Sequence, residues 1–274
     1  MSRIYSQSYL TAEVSTAPET IAQAAQLGYS FVGLRLLANT PGGQHQRLLG
    51  DKAVLRECQA RLADSGLGVF DLEIIRIGPV FDPTPYIPLF EAGAQLKARV
   101  VVVAGDDTDL NRLSDHYAQL CALMQPYGLT ADLEFMPWTA VRHAREALQV
   151  IHNAGRPSNA GILVDALHVA RSDTTLADIA ALPRELLHFA QICDAPTTNA
   201  QGSTALSVDD MIHTARCERL LPGEGAIDLR SLFQALPPDL LISVEVPHHV
   251  RARAVGDLAW SGQALAATRA LLDF

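Results

Sequence analysis

Residues 98–105 read AlaArgValValValValAlaGly, and Val100–Ala104 within this stretch are apolar without interruption. Continuous rather than alternating apolar residues indicate a strand that is buried on both faces, as in a parallel sheet. Similar short apolar runs occur at Gly161–Asp165 and Leu241–Val246. The sequence therefore predicts a parallel sheet that is covered on both sides.

Eight such strands are predicted, and helical patterns alternate with them along the chain. The predicted strands are Ser8–Val14, Phe31–Leu36, Val69–Ile75, Val100–Ala104, Leu129–Glu134, Gly161–Asp165, His188–Ile192 and Leu241–Val246. The most clearly delimited helices are Ser15–Gly28, Asp51–Gly66, Asn111–Gly128, Thr139–Gly155 and Trp260–Phe274. The first two begin at a capping residue and end at glycine, which are standard helix start and stop signals.

Eight strands alternating with helices over 274 residues predict an α/β fold, a single (β/α)8 TIM barrel whose one domain spans residues 1–274. A doubly wound open sheet is the alternative. That fold usually has a glycine-rich phosphate-binding turn after its first strand, and no such turn follows Val14. In a barrel, catalytic groups lie at the carboxyl ends of the strands.

Composition limits the class of protein and its partners. The chain is 49% hydrophobic and 19% charged with a net charge of −9, which is ordinary for a globular protein and unfavourable for nucleic-acid binding. No apolar run reaches the roughly 18–20 residues that span a membrane, and the first residues lack a secretory signal core. We therefore expect a cytoplasmic protein with a small neutral or weakly charged substrate, bound to neither nucleic acid nor membrane.

Four oxygen-donor side chains each end a different predicted strand: Glu134, Asp165, Gln191 and Glu245. A single residue of this kind is usually a loop cap or part of an ion pair, but four suggest a shared metal site. An all-oxygen set suits Mg²⁺ or Mn²⁺, with Co²⁺ as a substitute. Such an ion would polarise a substrate carbonyl, and the two glutamates would move the proton on the adjacent carbon.

Other candidate residues lie near these strand ends. His168 follows Asp165 by three residues and predicts a substrate contact or a proton carrier, with a packed core histidine as the alternative. Arg219 precedes LeuLeuProGlyGluGly and would bind a substrate oxygen, unless this segment is an ordinary turn. Glu73, at the end of the third strand, and Trp138, after the fifth, are further candidates for substrate binding.

Several short motifs resemble one known group of proteins. They are LeuGluPhe at 133–135, ValAspAlaLeuHis at 164–168, GlnIleCysAspAlaPro at 191–196, ProGlyGluGly at 222–225 and SerValGluVal at 243–246. In this order they resemble the xylose-isomerase-like TIM-barrel superfamily of sugar phosphate isomerases and epimerases, which shares its fold with endonuclease IV. The resemblance implies one divalent metal ion, a polyhydroxy carbonyl substrate, and subunits that commonly pair through their helices into a homo-oligomer.

The resemblance also assigns roles and leaves two reactions open. In the ketose epimerases the third metal ligand is a histidine, so Gln191 departs from their pattern. Gln-x-x-Asp-Ala-Pro instead resembles 3-dehydroshikimate dehydratases, and Trp138 agrees with them. The histidine expected from those dehydratases is replaced by Val141, however, and His143 is out of register. The sequence favours a metal-dependent isomerase or epimerase of a keto sugar, with a dehydratase-like lyase as the alternative.

Overall fold

The computed structural model of the protein describes residues 3–40 and 42–273. Eight parallel strands form a closed barrel in which each strand pairs with the next and the eighth pairs with the first. The strands are β1 Tyr5–Gln7, β2 Phe31–Arg35, β3 Gly68–Ile77, β4 Val100–Gly105, β5 Thr130–Glu134, β6 Ala160–Asp165, β7 Phe189–Ile192 and β8 Leu241–Val244. The predicted (β/α)8 barrel is confirmed.

Eleven helices are described, and they lie between the strands and after the last one. They are α1 Ala17–Leu27, α2 Lys52–Ser65, α3 Ile87–Leu96, α4 Leu110–Met124, α5 Ala144–Asn153, α6 Ala166–Ala170, α7 Leu176–Ala180, α8 Val208–Cys217, α9 Leu229–Ala235, α10 His249–Val255 and α11 Asp257–Leu272. Within the described ranges, none of them is both long and apolar enough to cross a membrane.

The first strand differs from the prediction. Instead of Ser8–Val14, the strand is Tyr5–Gln7, and Tyr9–Ala12 forms a 3-10 turn. The three strand residues are polar or amphipathic, so they lack the apolar run on which strand prediction depends. They are buried because hydrogen-bonded neighbours, β2 and β8, lie on both sides. The helix predicted to end at Phe274 ends at Leu272, and Phe274 lies outside the described residues.

Local signals explain where the helices begin. Asp51 accepts hydrogen bonds from Ala53 N and Val54 N and so caps α2. The helix predicted from Thr139 begins only at Ala144, because the side chain of His143 acts as its N-cap. Side-chain caps of this kind satisfy backbone N–H groups that have no partner inside the helix.

The core has two parts. Most of the buried apolar residues pack between the outer faces of the strands and the helices. A smaller set fills the inside of the barrel: Phe70, Val100, Val102, Leu163, Phe189 and Leu241. These side chains plug the barrel, so that space for a ligand remains only at the carboxyl ends of the strands.

One buried acidic residue in the wall of the barrel, Asp71, has no hydrogen-bond donor beside its carboxyl group among the described residues. Asp71 in β3 is fully buried, and neither of its carboxylate oxygens has a hydrogen-bond partner among the described residues. Its carboxylate occupies the space beside Gly33 in β2, where an added Cβ would lie 2.5 Å from Asp71 Oδ2. Burial raises the pKa of Asp71 well above its usual value, and the nearby Glu73 and Asp132 add to this effect. These effects favour the protonated form of Asp71 over its carboxylate.

Candidate active site

The predicted strand-end residues converge on one cavity of about 330 Å³ at the carboxyl face of the barrel. Its lining includes seven of the eight predicted site residues: Glu73, Glu134, Trp138, His168, Gln191, Arg219 and Glu245. Asp165 does not line the cavity, but it bonds to Arg219, which does. All of these except Trp138 are buried. The barrel therefore gathers residues that are up to 172 positions apart in the sequence.

Glu134, Asp165 and His168 form the tightest part of the site. His168 Nε2 lies 3.2 Å from Glu134 Oε1, and His168 Nδ1 lies 4.0 Å from Asp165 Oδ1. One potential metal-ligand atom from each of these three residues lies within 4.8 Å of the other two. Asp165 ends β6 and caps α6, since its Oδ1 accepts from Leu167 N at 2.7 Å and His168 N at 3.1 Å. This cap holds the helical turn that carries His168 beside Glu134.

Arg219 joins two of the predicted metal ligands. Its Nη1 lies 2.6 Å from Asp165 Oδ2 and its Nη2 lies 2.7 Å from Glu245 Oε2, and the side chain is almost fully buried. Burial raises the pKa of Asp165, but the neighbouring Arg219 and His168, together with the hydrogen bonds that Asp165 accepts, outweigh it and lower that pKa. Arg219 thus lines the cavity as predicted, while its guanidinium is engaged by carboxylates. Its role as a substrate contact stays a prediction.

A second chain of contacts links Glu245 to Glu73. Gln191 Nε2 donates to Glu245 Oε1 at 2.8 Å. Ser8 Oγ lies 2.8 Å from Glu245 Oε1 and 3.2 Å from Glu73 Oε1, so its single proton can be donated to either. Arg35 Nη2 lies 2.6 Å from Glu73 Oε2. These contacts hold Gln191, Glu245 and Glu73 in fixed positions around the cavity.

Sequence reasoning missed Ser8 and Arg35 as members of the site. Arg35 ends β2, so the rule that found Glu134 and Asp165, a polar group closing an apolar strand, would have found it too. Ser8 follows β1, whose polar sequence hides the strand. The sequence predicts that Ser8 begins the first strand, so nothing in it indicates that Ser8 contacts the strand-end residues Glu73 and Glu245.

Asp194 holds the loop between α8 and α9 that contains the ProGlyGluGly segment. It is buried, and its carboxylate accepts from Gly223 N and Ile227 N, both at 3.0 Å. Gly225 packs so closely that a Cβ there would lie 2.3 Å from Asp194 Oδ1. The glycine therefore allows the loop to fold over Asp194, next to Arg219.

The cavity wall contains more carboxyl groups than guanidinium groups paired with them. Four buried carboxylates, on Glu73, Glu134, Asp165 and Glu245, face the two guanidinium groups of Arg35 and Arg219. Burial raises the pKa of Glu73, with the negative charge of Glu134 adding to it, although Arg35 acts in the opposite direction. Burial also raises the pKa of Glu245 well above its usual value, although Arg219 opposes this. The four carboxyl groups therefore outnumber the two guanidinium groups that pair with them.

Several buried polar atoms of the lining residues have no hydrogen-bond partner within the described part of the chain, and Gln191 Oε1 and His168 Nδ1 are among them. A buried amide oxygen without a hydrogen-bond partner, close to several buried carboxyl groups, is a set of ligand atoms that a divalent cation would bind. The residues present thus fit a metal ion, with oxygen donors in the majority and His168 as the nitrogen donor closest to them.

Comparison with known proteins agrees with the fold. The model of the xylose isomerase-like TIM barrel family matches residues 21–271. The chain belongs to the xylose isomerase-like TIM barrel family. Its structure is similar to that of the IolI protein with a bound zinc atom, with a TM-score of 0.77, 16% identity and 98% of each chain covered.

Two further solved structures have different activities in their names. The D-allulose 3-epimerase from Methylomonas sp. in complex with D-allulose has a TM-score of 0.69 at 16% identity, and the match covers 98% of this chain and 97% of that one. The probable 3-DHS dehydratase AsbF from Bacillus anthracis has a TM-score of 0.73 at 15% identity, with 96% and 98% covered. At these identities the similarity shows the shared barrel alone.

A curated relative shares more sequence over a shorter region. The 3-dehydroshikimate dehydratase from Pseudomonas aeruginosa is 30% identical over 118 residues, which is 43% of this chain and 17% of the relative. This chain thus aligns with about a sixth of that larger protein. Proteins with epimerase names and proteins with dehydratase names are therefore both similar to this chain.

Proposed function

We propose that the protein is a divalent-metal-dependent isomerase or epimerase of a keto sugar or a related polyhydroxy ketone. The observation that carries the proposal is the position of Glu134 and Glu245 in one cavity of about 330 Å³. Glu134 ends β5 and Glu245 follows β8, so two strands of the barrel separate them and they approach a bound substrate from different sides. Two carboxyl groups in this arrangement suit removal of a proton on one side and its return on the other.

Glu134, Asp165, Gln191 and Glu245 would hold the metal ion, which suits Mg²⁺, Mn²⁺ or Co²⁺. When bound there, the ion supplies Lewis-acid polarisation of the substrate carbonyl, which makes the adjacent C–H acidic. Glu134 removes this proton, and Glu245 supplies a proton to the same or the neighbouring carbon. His168, 3.2 Å from Glu134, orients that carboxylate and donates to a substrate oxygen. Trp138 packs edge-on against His168 at 5.0 Å between ring centroids and limits access of water.

The test is hydrogen exchange with solvent. Candidate ketoses are incubated in deuterated water with Mg²⁺, Mn²⁺ or Co²⁺, and loss of the proton next to the carbonyl is followed by NMR. We expect label to enter with the wild type and not with Glu134→Gln or Glu245→Gln. Glu57→Gln is the matched control, because Glu57 lies on exposed α2 in a surface pair with Arg61. Absence of label from every ketose under every metal would contradict the proposal.

A dehydratase is the second candidate, favoured by the 30% identity with the Pseudomonas aeruginosa 3-dehydroshikimate dehydratase over 118 residues. That reaction can begin with the same proton removal and then expel a neighbouring hydroxyl. His143, however, caps α5 and is not among the residues that line the cavity, and Val141 is buried in the core. His168 would therefore have to protonate the leaving hydroxyl. Ultraviolet absorbance of an aromatic product from 3-dehydroshikimate would establish this reaction, and its absence at millimolar substrate with Mn²⁺ would exclude it.

A further inference from the structure

The lining of the cavity contains a group of arginines. Five arginines line the cavity: Arg35, Arg76, Arg216, Arg219 and Arg253. Such a concentration of positive charge is unexpected in a chain with a net charge of −9. The clustering of arginines is therefore specific to this cavity and does not follow from the overall composition of the chain.

Most of these arginines have an acidic partner in the protein. Arg35 pairs with Glu73, and Arg219 pairs with Asp165 and Glu245. Arg76 binds Asp106 through two hydrogen bonds of 2.6 Å each. Their charges are compensated before any ligand arrives.

Arg216 is different. It lies in the last turn of α8, it is half-buried, and it makes no hydrogen bond or ion pair to any residue in the ranges 3–40 and 42–273. Burial and the like charges of Arg76 and Arg35 lower the pKa of Arg216. Withdrawing a cation from water without a partner is unfavourable, and neighbouring cations increase that cost. An anion in the cavity mouth would remove it.

Arg253 is the other lining arginine without a described partner. It lies in the last turn of α10 and is exposed, so water solvates its charge. It adds to the positive potential at the mouth but has less need of a ligand than Arg216. The half-buried Arg216 is accordingly the residue positioned to bind an anionic group directly.

We infer that the substrate carries an anionic oxygen group, a carboxylate or a phosphate, which Arg216 binds at the cavity mouth while the carbonyl end reaches Glu134 and Glu245. Arg76 and Arg35 strengthen the positive potential around that group, and guanidinium forms paired hydrogen bonds to either anion. The cavity of about 330 Å³ is near the lower end of the range for ligand sites, which limits the substrate to about the size of one sugar ring. This inference rests on the proposed function, and it specifies that the polyhydroxy ketone substrate carries a negatively charged group.

The test uses matched neutral and anionic probes, and it measures binding rather than turnover. Shikimate is compared with its methyl ester, and ribulose 5-phosphate with ribulose, by titration calorimetry on the full chain loaded with Mn²⁺. We expect the wild type to prefer the anionic member of at least one pair. Arg216→Gln should weaken that probe about ten- to a hundred-fold, as for loss of a charge-assisted hydrogen bond, and leave the neutral member unchanged. The pair that responds identifies the anion as carboxylate or phosphate.

Two further variants distinguish a direct contact between Arg216 and the anionic group from a general effect of positive charge on the protein. Arg216→Lys keeps the positive charge and should retain part of the preference. Arg61→Gln removes one positive charge from a surface ion pair on α2 and should leave the preference for the anionic probe unchanged. Arg216 has no described protein partner, so Arg216→Gln should fold, and circular dichroism checks this. Equal wild-type affinity within both pairs, or an unchanged ratio in Arg216→Gln, would overturn the inference.

The outcomes also distinguish this inference from the proposed function. If no ketose takes up deuterium but the preference for an anion depends on Arg216, the proposed chemistry fails and the anion site stands. If deuterium enters a neutral ketose and Arg216→Gln has no effect on either probe pair, the anion site fails and the chemistry stands.

Discussion

Arg219 and Glu245 form an ion pair of 2.7 Å inside the barrel, and both side chains are almost fully buried. The same guanidinium holds Asp165 at 2.6 Å. Two residues predicted to bind the metal are therefore fixed by one arginine from a loop that follows α8. The arginine thus supplies a positive charge to two of the four buried carboxyl groups in the site.

Replacing Arg219 with methionine should destabilise the protein by about 3–5 kcal/mol, because it leaves Asp165 and Glu245 buried without their cation. Urea unfolding at pH 7 measures this. Arg184→Met is the control, since Arg184 and Asp239 form a pair that is more than half exposed, and it should cost no more than about 1 kcal/mol. Equal effects of the two changes would show that Arg219 does not hold the buried carboxylates.

Replacing Gln191 tests the metal site itself. Gln191→Leu should lower Mn²⁺ affinity by at least about ten-fold, since even residues outside the ligand set typically contribute that much. Gln191→His should retain a metal and shift its preference towards Co²⁺ and Zn²⁺, because imidazole replaces an oxygen donor. Calorimetric titration with each metal measures both effects, with Gln59→Leu on exposed α2 as the control. Unchanged Mn²⁺ affinity in Gln191→Leu would remove Gln191 from the ligand set.

His168 lies close enough to Glu134 and Asp165 to be either a substrate contact or a metal ligand. If it acts on the substrate, His168→Ala should lower kcat about 10²–10⁴-fold and leave the metal content unchanged. Elemental analysis of the purified variant, beside the kinetics, decides this. Loss of the metal together with activity would instead assign His168 to the ligand set.

Asp71 should make stability depend on pH. Its pKa is raised in the folded protein, so the folded state retains a proton that the unfolded state loses above about pH 4. Stability from this group is therefore greatest at low pH and falls as pH rises from about 4 towards the folded pKa. Asp71→Asn should reduce this fall and raise Tm at pH 7. Thermal unfolding from pH 4 to 8 measures it, and an Asp71→Asn profile parallel to the wild type would mean that Asp71 is not the group responsible.

Most of the barrel could be predicted because its strands are buried on both faces. Val100–Ala104 and Gly161–Asp165 lie inside observed strands with nearly the same bounds. The first strand could not be predicted, since Tyr5–Gln7 is stabilised by pairing with β2 and β8 rather than by its own apolar pattern. Helix α3, Ile87–Leu96, was also not identified in the sequence.

The residues of the candidate site also fall into those that the sequence predicts and those that it does not. Glu134 and Asp165 could be identified because each is a polar group that closes an apolar strand. Ser8 and Glu245, by contrast, are 237 residues apart and meet only because β1 pairs with β8. The unpaired charge of Arg216 likewise becomes visible only when α8 is placed beside Arg35 and Arg76.

The sequence alone determined that the chain forms a parallel barrel and that oxygen donors end its strands, because burial and strand-end polarity are local properties of short segments. Only the tertiary structure decided which charges neutralise one another, that Arg219 bridges Asp165 and Glu245, and that Arg216 has no partner among the described residues. Electrostatic pairing depends on distances between segments that are remote in sequence, and closure of the barrel sets those distances.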